Sequence, residues 1–146
     1  MIKTLLLPRT LLNLLNQWLH EVQLIRSEAR SRIRFINLLK DKISEIEPAR
    51  IEILERYVEK DEIENKSKKN DKGEFVWKTP TGEEEATKEF RAYMDEKVLV
   101  DFSPENHADL DTMKTVLTDR FDKKLNAVES VAYDEILTEF ERVCGT

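Results

Sequence analysis

The chain has 146 residues, of which 40% are hydrophobic and 37% charged, and its formal net charge is −6. Only 3 glycines and 4 prolines are present, which favours helices over a strand-rich sandwich. The negative charge argues against a dedicated nucleic-acid binder, and the length predicts a single domain over residues 1–146. The one cysteine, Cys144, excludes a disulfide within the chain and indicates a reducing compartment, for which we expect the cytoplasm.

The first segment, MIKTLLLPRTLLNLLNQWL, combines a short strand with the beginning of a helix. Residues 3–7 are extended in character and stop at Pro8, which disfavours helix in the residue before it. Thr10 can cap the helix that follows. Polar residues interrupt the apolar run and no small-residue cleavage site follows it, so we expect neither a signal peptide nor a membrane span.

A helical pattern then extends from about Leu11 to Lys60. Its inward positions recur in steps of three and four residues, at Leu11, Leu15, Trp18, Val22, Ile25, Ala29, Ile33, Ile36, Leu39, Ile43 and Ile46. The pattern leaves open whether the helix is continuous or kinks near His20. Proline in a helix interior costs about 3 kcal/mol, so we expect a kink, or a break with a restart, at Glu47–Pro48.

The middle of the chain is more polar. Residues 61–73 have no apolar period and predict a solvated loop or hairpin tip. The segment EFVWK, residues 74–78, is the best strand candidate by its aromatic and β-branched content. Thr81 with Glu84 predicts a capping box, from which a helix extends to about Glu96.

The last third alternates a strand with two helices. Residues 97–102 are strand-like, and we expect them to pair with the N-terminal strand. Ser103-Pro104 is a helix start, and a break around Asn126 precedes a final helix that ends at Gly145. The expected fold class is α+β, mainly α: a long N-terminal helical hairpin or kinked helix, further helices, and a small two- or three-stranded β element.

An arginine ladder is the main functional candidate. Arg26, Arg30 and Arg34 lie four residues apart on one helix side, with Phe35 among their apolar neighbours. Residues 1–50 hold 9 basic and 5 acidic side chains, against 15 and 25 in the remainder. Either carboxylates of the acidic part pair with the ladder, or the ladder is open and forms an interface with its apolar flanks. In the second case these four residues bind a partner.

Signatures of catalysis and of cofactors are lacking. His20 and His107 have no second ligand at metal-binding spacing, and Asp109 and Asp111 beside His107 are expected to be helix caps or solvated surface. No glycine-rich phosphate loop occurs. The lysine cluster of the loop (Lys66, Lys68, Lys69 and Lys72) is a candidate phosphate-binding arm, but its acidic neighbours favour a plain solvated loop. We therefore expect no enzymatic activity, no metal and no cofactor.

Three segments resemble landmarks of a small family of phage and prophage proteins of unknown function from viruses of Gram-positive bacteria. The segments are RSEARSRIRFINLLK (residues 26–40), ILERYVEKDE (residues 53–62) and AYDEILTEFE (residues 132–141). The matching positions are Ser27, Arg30 and Arg32, then Tyr57, Asp61 and Gly73, then Tyr133 and Asp134. The family has no assigned reaction, so the resemblance implies a phage origin and an accessory role.

The expected function is therefore that of a phage-encoded accessory protein that acts by protein–protein binding, with inhibition of a host defence system as one such role. The alternatives are a structural component of the virion or of tail assembly, located in the virion, and a nucleic-acid-binding protein that uses the arginine ladder and the lysine cluster. The sequence names no protein partner. Long amphipathic helices also make a homo-oligomer plausible.

Overall fold

A computed structural model describes residues 1–145, and the observed fold class is α+β, mainly α, as predicted. In chain order the elements are β1 (Lys3–Pro8), α1 (Arg9–Glu21), α2 (Arg26–Ser44), α3 (Ile46–Tyr57), β2 (Lys60–Asp61), β3 (Lys66–Ser67), α4 (Gly82–Asp95), β4 (Lys97–Phe102), α5 (His107–Thr115) and α6 (Ala127–Cys144). No helix within residues 1–145 is both long enough and apolar enough to cross a bilayer.

Contacts group the chain into two compact units, where the sequence predicts one domain. The first unit is Met1–Ile43 together with Lys97–Thr146, of which Thr146 lies outside the described residues. The second unit is Ser44–Glu96. Each unit is described by itself.

A two-stranded antiparallel sheet organises the first unit. β1 pairs with β4 so that Leu5 lies opposite Val100 and Leu6 opposite Leu99. Both strands and their pairing are confirmed. Because side chains alternate between the faces of a strand, Leu5 and Val100 turn inward while Leu6 and Leu99 turn outward.

The core of the first unit lies on the inner face of this sheet. It is formed with α1, α2, α5 and α6, and its largest fully buried side chains are Trp18, Phe35, Phe102 and Phe140. The Phe35 ring stacks on Phe102 and Phe140, with ring centroids 5.4 and 5.9 Å away. α2 is therefore fixed to the sheet and to α6 through one aromatic side chain.

The long N-terminal helix is broken twice. α1 ends at Glu21, α2 begins at Arg26, and a second break falls at Glu45, so that Pro48 sits in the first turn of α3. The expected break near Pro48 is thus confirmed, although it lies slightly upstream, at Glu45. Pro48 is tolerated in the first turn of α3 because backbone N–H groups there have no partner within the helix. The prediction that Ile25 and Ile33 face inward is wrong, because they are 75% and 61% exposed. The sequence pattern assumes one continuous helix and therefore one set of inward positions. The break at residues 22–25 changes which residues of α2 face inward.

The second unit packs α3 against α4 and carries the β2–β3 hairpin. The strand predicted over residues 74–78 is wrong: only isolated bridges form, from Trp77 to Val58 and from Phe75 to Lys69. The capping box predicted at the start of α4 is also wrong. The Thr81 hydroxyl donates to Glu85 at 3.2 Å and makes no bond to the backbone of the helix.

Candidate functional site

The exposed side of α2 is the candidate site. We call it the arginine face and define it as the α2 residues Arg26, Arg30, Ile33 and Arg34, together with the exposed Ile25, which lies directly before the helix. Residues spaced by three, four, seven or eight positions lie on one side of a helix. The opposite side of α2 carries the buried residues Ser31, Phe35 and Leu39, which hold the helix on the core.

Arg34 is paired within the first unit. Its Nη2 lies 2.9 Å from Oδ1 of Asp109, and its Nε donates to Oδ2 of the same carboxylate at 3.1 Å, which is the fork geometry of a strong arginine–carboxylate pair. The hydroxyl of Ser31, one turn earlier, donates to Oδ1 of Asp109 at 2.7 Å. The pair therefore joins α2 to α5 at the border of the arginine face.

The two partners differ sharply in exposure. The Asp109 side chain is 3% exposed and that of Arg34 is 53% exposed. Burial alone would raise the pKa of Asp109, but hydrogen bonds from Arg34 and Ser31, with the positive charge of Arg34, outweigh it and lower the pKa. Asp109 is thus a buried carboxylate that stays ionised because two side chains of α2 donate to it.

Arg26 and Arg30 lie in solvent. Both are exposed, and neither has a hydrogen bond or a carboxylate within ion-pairing distance among residues 1–145. Arg26 has a φ of 51°, the left-handed region that non-glycine residues rarely adopt, at the point where the chain enters α2. The ladder is therefore divided: its last arginine is paired internally and its first two present free guanidinium groups.

Phe35 does not belong to the site. Its side chain is 0% exposed and stacks in the aromatic core, so the prediction that it contacts a partner is wrong. Phe35 directly follows Arg34, and consecutive helix residues point about 100° apart, which is enough to separate surface from core. Its place in the site is taken by Ile33, which the sequence pattern assigns to the core.

Sequence reasoning misses two supporting residues. Asp109 is predicted to lie in a helix cap or on the solvated surface, but it is buried beneath Arg34. Arg32 donates through Nη1 to the backbone carbonyls of Leu19, at 2.9 Å, and of Val22, which satisfies carbonyls at the end of α1. The only sequence signal for Asp109 is the need of the arginines for a carboxylate, and the chain offers many carboxylates.

The other candidate residues have structural partners. His20 Nδ1 contacts the backbone carbonyl of Asn16, and His107 Nε2 contacts that of Phe102. Within residues 1–145 no three His, Cys, Asp or Glu side chains are grouped to hold a metal ion. In the lysine cluster three of the four members are engaged: Lys66 with Glu64, Lys68 with Glu59, and Lys69 over the Phe75 ring.

Comparison with protein-family models, characterised proteins and solved structures finds no match to this chain.

Proposed function

We propose that this chain is a protein-binding accessory protein and that the arginine face is its contact surface. One observation carries the proposal: Arg26 and Arg30 are free and exposed, between two isoleucines that are 75% and 61% exposed. Arginine with apolar flanks is the composition typical of interface hot spots. The matching partner surface carries carboxylates beside an apolar depression.

The support beneath the face favours binding with little rearrangement. Ser31 and Arg34 tie α2 to Asp109, and Phe35 ties it to the aromatic core. A surface carried by a fixed helix loses little conformational entropy when it binds, so more of the contact energy appears as affinity. The free guanidinium groups also speed encounter with an acidic partner, and this gain falls as salt rises.

The biological role rests on the resemblance to phage and prophage proteins. It supports the proposal that the protein acts in infected Gram-positive cells, without catalysis, by covering a surface of another protein. Inhibition of a host defence protein is one such role, and a contact within the virion is the alternative. The two roles are separated by where the protein is found: bound to a host protein in infected cells, or inside purified particles.

The test is quantitative capture from a Gram-positive host lysate and from phage particles with the tagged protein. We compare the wild type with Arg26→Glu/Arg30→Glu, which reverses the two free charges. Both side chains are exposed and unpaired, so the melting temperature should be unchanged. We expect the affinity for the captured partner to fall at least tenfold, which corresponds to a loss of about 1.4 kcal/mol in the free energy of binding.

A matched control reverses the same amount of charge elsewhere. Lys72 and Lys78 are exposed residues of the second unit without an ion pair within residues 1–145. Lys72→Glu/Lys78→Glu also replaces two positive side chains by two negative ones, so its net charge equals that of the test variant. The control should retain the partner. Equal capture by both double variants would refute the role of the arginine face.

The nucleic-acid alternative has less support, because most of the lysine cluster is already engaged with acidic or aromatic side chains. It requires binding that weakens steeply as salt rises. Absence of binding to duplex and single-stranded DNA and RNA at low salt would remove it.

A further inference from the structure

The two edges of the β1–β4 sheet differ in whether their outward backbone groups have hydrogen-bond partners. On the β1 edge, the backbone N–H of Leu6 donates to Oε1 of Glu139 at 2.7 Å, and the Arg142 guanidinium donates to the carbonyl of Thr4 at 2.8 Å. Glu139 and Arg142 lie one turn apart on α6 and pair with each other. A side-chain pair therefore occupies the positions that a further strand would bond, which closes this edge to pairing.

The β4 edge has no such cover. In an antiparallel pair, alternate residues direct their backbone groups to the partner strand and away from it. Thr4 and Leu6 point away from β4, so their register partners Asp101 and Leu99, and likewise Lys97, point away from β1. Within residues 1–145 no hydrogen bond is found to the backbone N–H or C=O groups of these three residues on this edge.

The side chains on this edge are also accessible. Leu99 is 58% exposed, and Lys97 and Asp101 are exposed on the same face as Leu99. Asp101 accepts a hydrogen bond from the Thr4 hydroxyl at 2.7 Å through Oδ1. Lys97 has no carboxylate within ion-pairing distance and acts on Glu139 only as a longer-range charge.

The sequence KVLVDF is complementary to itself across a two-fold axis at Leu99. If a second copy pairs antiparallel along this edge with Leu99 opposite Leu99, then Lys97 lies opposite Asp101 of the second copy, and Asp101 opposite its Lys97. The same register joins the backbone groups that are free on both copies, because all three of these positions point outward. Val98 then lies opposite Val100 on the inner face.

We propose that a second copy of this chain binds at the β4 edge, giving a two-fold dimer with a continuous four-stranded sheet in the order β1, β4, β4, β1. Two features favour this occupant over a foreign strand. The ion pairs form only in the symmetric register, and the closed β1 edge stops the sheet at four strands, so that association ends at the dimer. This proposal does not depend on the proposed function, since the arginine face lies on α2.

Charge swapping tests the register. Lys97→Asp brings two carboxylates together at each pairing of position 97 with Asp101, and Asp101→Lys brings two ammonium groups together at each pairing of position 101 with Lys97. Each variant alone therefore opposes like charges twice. In an equal mixture, the heterodimer pairs the two substituted positions with each other and the native Lys97 with the native Asp101, so both ion pairs are restored. We measure the mass by sedimentation equilibrium and by light scattering on the full chain at low salt.

We expect the wild type to reach twice the 17.2 kDa monomer mass as concentration rises. Each single variant should raise the dissociation constant by about tenfold or more, and the mixture should return it to near the wild-type value. A wild type that stays monomeric would overturn the proposal. Two other results would also overturn it: variants that dimerise as tightly as the wild type, and a mixture of the two variants that does not regain the wild-type dissociation constant. Either result places the contact elsewhere.

A second measurement serves in case a variant is poorly folded. The Leu99 backbone N–H should exchange slowly with solvent in concentrated wild-type protein and quickly in dilute protein. The Val100 N–H, which faces β1, should be protected at both concentrations and is the internal control. Fast exchange at Leu99 in samples that sediment as dimers would overturn the proposal.

Discussion

Replacement of Asp109 by asparagine tests whether α2 is held by a buried carboxylate. Asparagine has nearly the same shape, keeps an acceptor for Ser31 and for one N–H of Arg34, and removes the charge. Hydrogen bonds to a charged group contribute about 1.5–3 kcal/mol, against about 1 for neutral bonds. We expect Asp109→Asn to lower the free energy of unfolding by about 2 kcal/mol at neutral pH.

Asp109→Ala should cost more than Asp109→Asn. The Ser31 hydroxyl belongs to a residue that is 3% exposed, and alanine leaves it without its acceptor. An unsatisfied buried donor adds about 1–3 kcal/mol. The guanidinium of Arg34 lies largely in solvent and can be hydrated once its partner is lost, so it adds less. The expected order of stability is wild type, then Asp109→Asn, then Asp109→Ala.

The effect should depend on pH with a definite sign. Folding lowers the pKa of Asp109, so its ionised form contributes fully above its unfolded pKa of about 3.9. That contribution disappears as the pH falls through the lower pKa of the folded state. The stability difference between wild type and Asp109→Asn should therefore be greatest at neutral pH and shrink below about pH 4.

Urea unfolding followed by tryptophan fluorescence is the assay. In a Trp77→Phe background the remaining Trp18, 1% exposed and in contact with Phe121 and Tyr133, reports on the first unit alone. Asp122→Asn removes an exposed carboxylate of the same unit and is the control. An Asp109→Asn protein as stable as the control at neutral pH, or a difference that does not change with pH, would refute the reasoning.

Three further predictions concern other contacts in the first unit. Glu139→Ala leaves the Leu6 N–H without an acceptor, so it should lower the free energy of unfolding measured in urea by about 1–2 kcal/mol. The Leu6 amide should also exchange faster with solvent, and an unchanged exchange rate would contradict this. Asn126→Ala removes the capping box with Glu129 at the start of α6 and should cost about 1 kcal/mol, whereas Asn126→Asp should retain most of the stability. Burial beside Asp111 raises the pKa of Cys144 to about 11, so the native thiol should react slowly with Ellman's reagent near pH 8 and quickly in urea; equal rates would show that Cys144 is not protected.

The sequence predicts most elements because they rest on local patterns. The β1 and β4 strands each lie beside clear punctuation, Pro8 at one and Ser103-Pro104 at the other. The helix start at Pro104 is predicted correctly, although it begins as a 3₁₀ turn that leads into α5. The strand prediction for residues 74–78 fails because aromatic content fits a bridge as well as a strand, and the local sequence does not reveal how many partner residues are available.

The sequence predicts only part of the candidate site, because local patterns reveal spacing along a helix but not the contacts between distant segments. The spacing of the arginines places Arg26, Arg30 and Arg34 on one side of a helix, but spacing does not tell which of them meets a carboxylate 75 residues away. Arg34 is paired with a carboxylate of the acidic part of the chain, as in the first alternative, whereas Arg26 and Arg30 are open, as the second alternative requires. Phe35 is wrongly assigned to the site and Ile33 to the core, because the sequence pattern continues one helical phase across the break at residues 22–25, which contains no proline or glycine to mark it.

Site-specific photo-crosslinking tests the central proposal most directly. A photoreactive amino acid at Ile33, within the arginine face, is compared with one at Ile63, which is 96% exposed in the turn between β2 and β3. On irradiation in host cells, we expect a covalent adduct with a foreign protein from position 33 only, and its loss in the Arg26→Glu/Arg30→Glu background. Adducts of equal yield from position 63, or an adduct at position 33 that survives reversal of the two charges, would contradict binding through the arginine face.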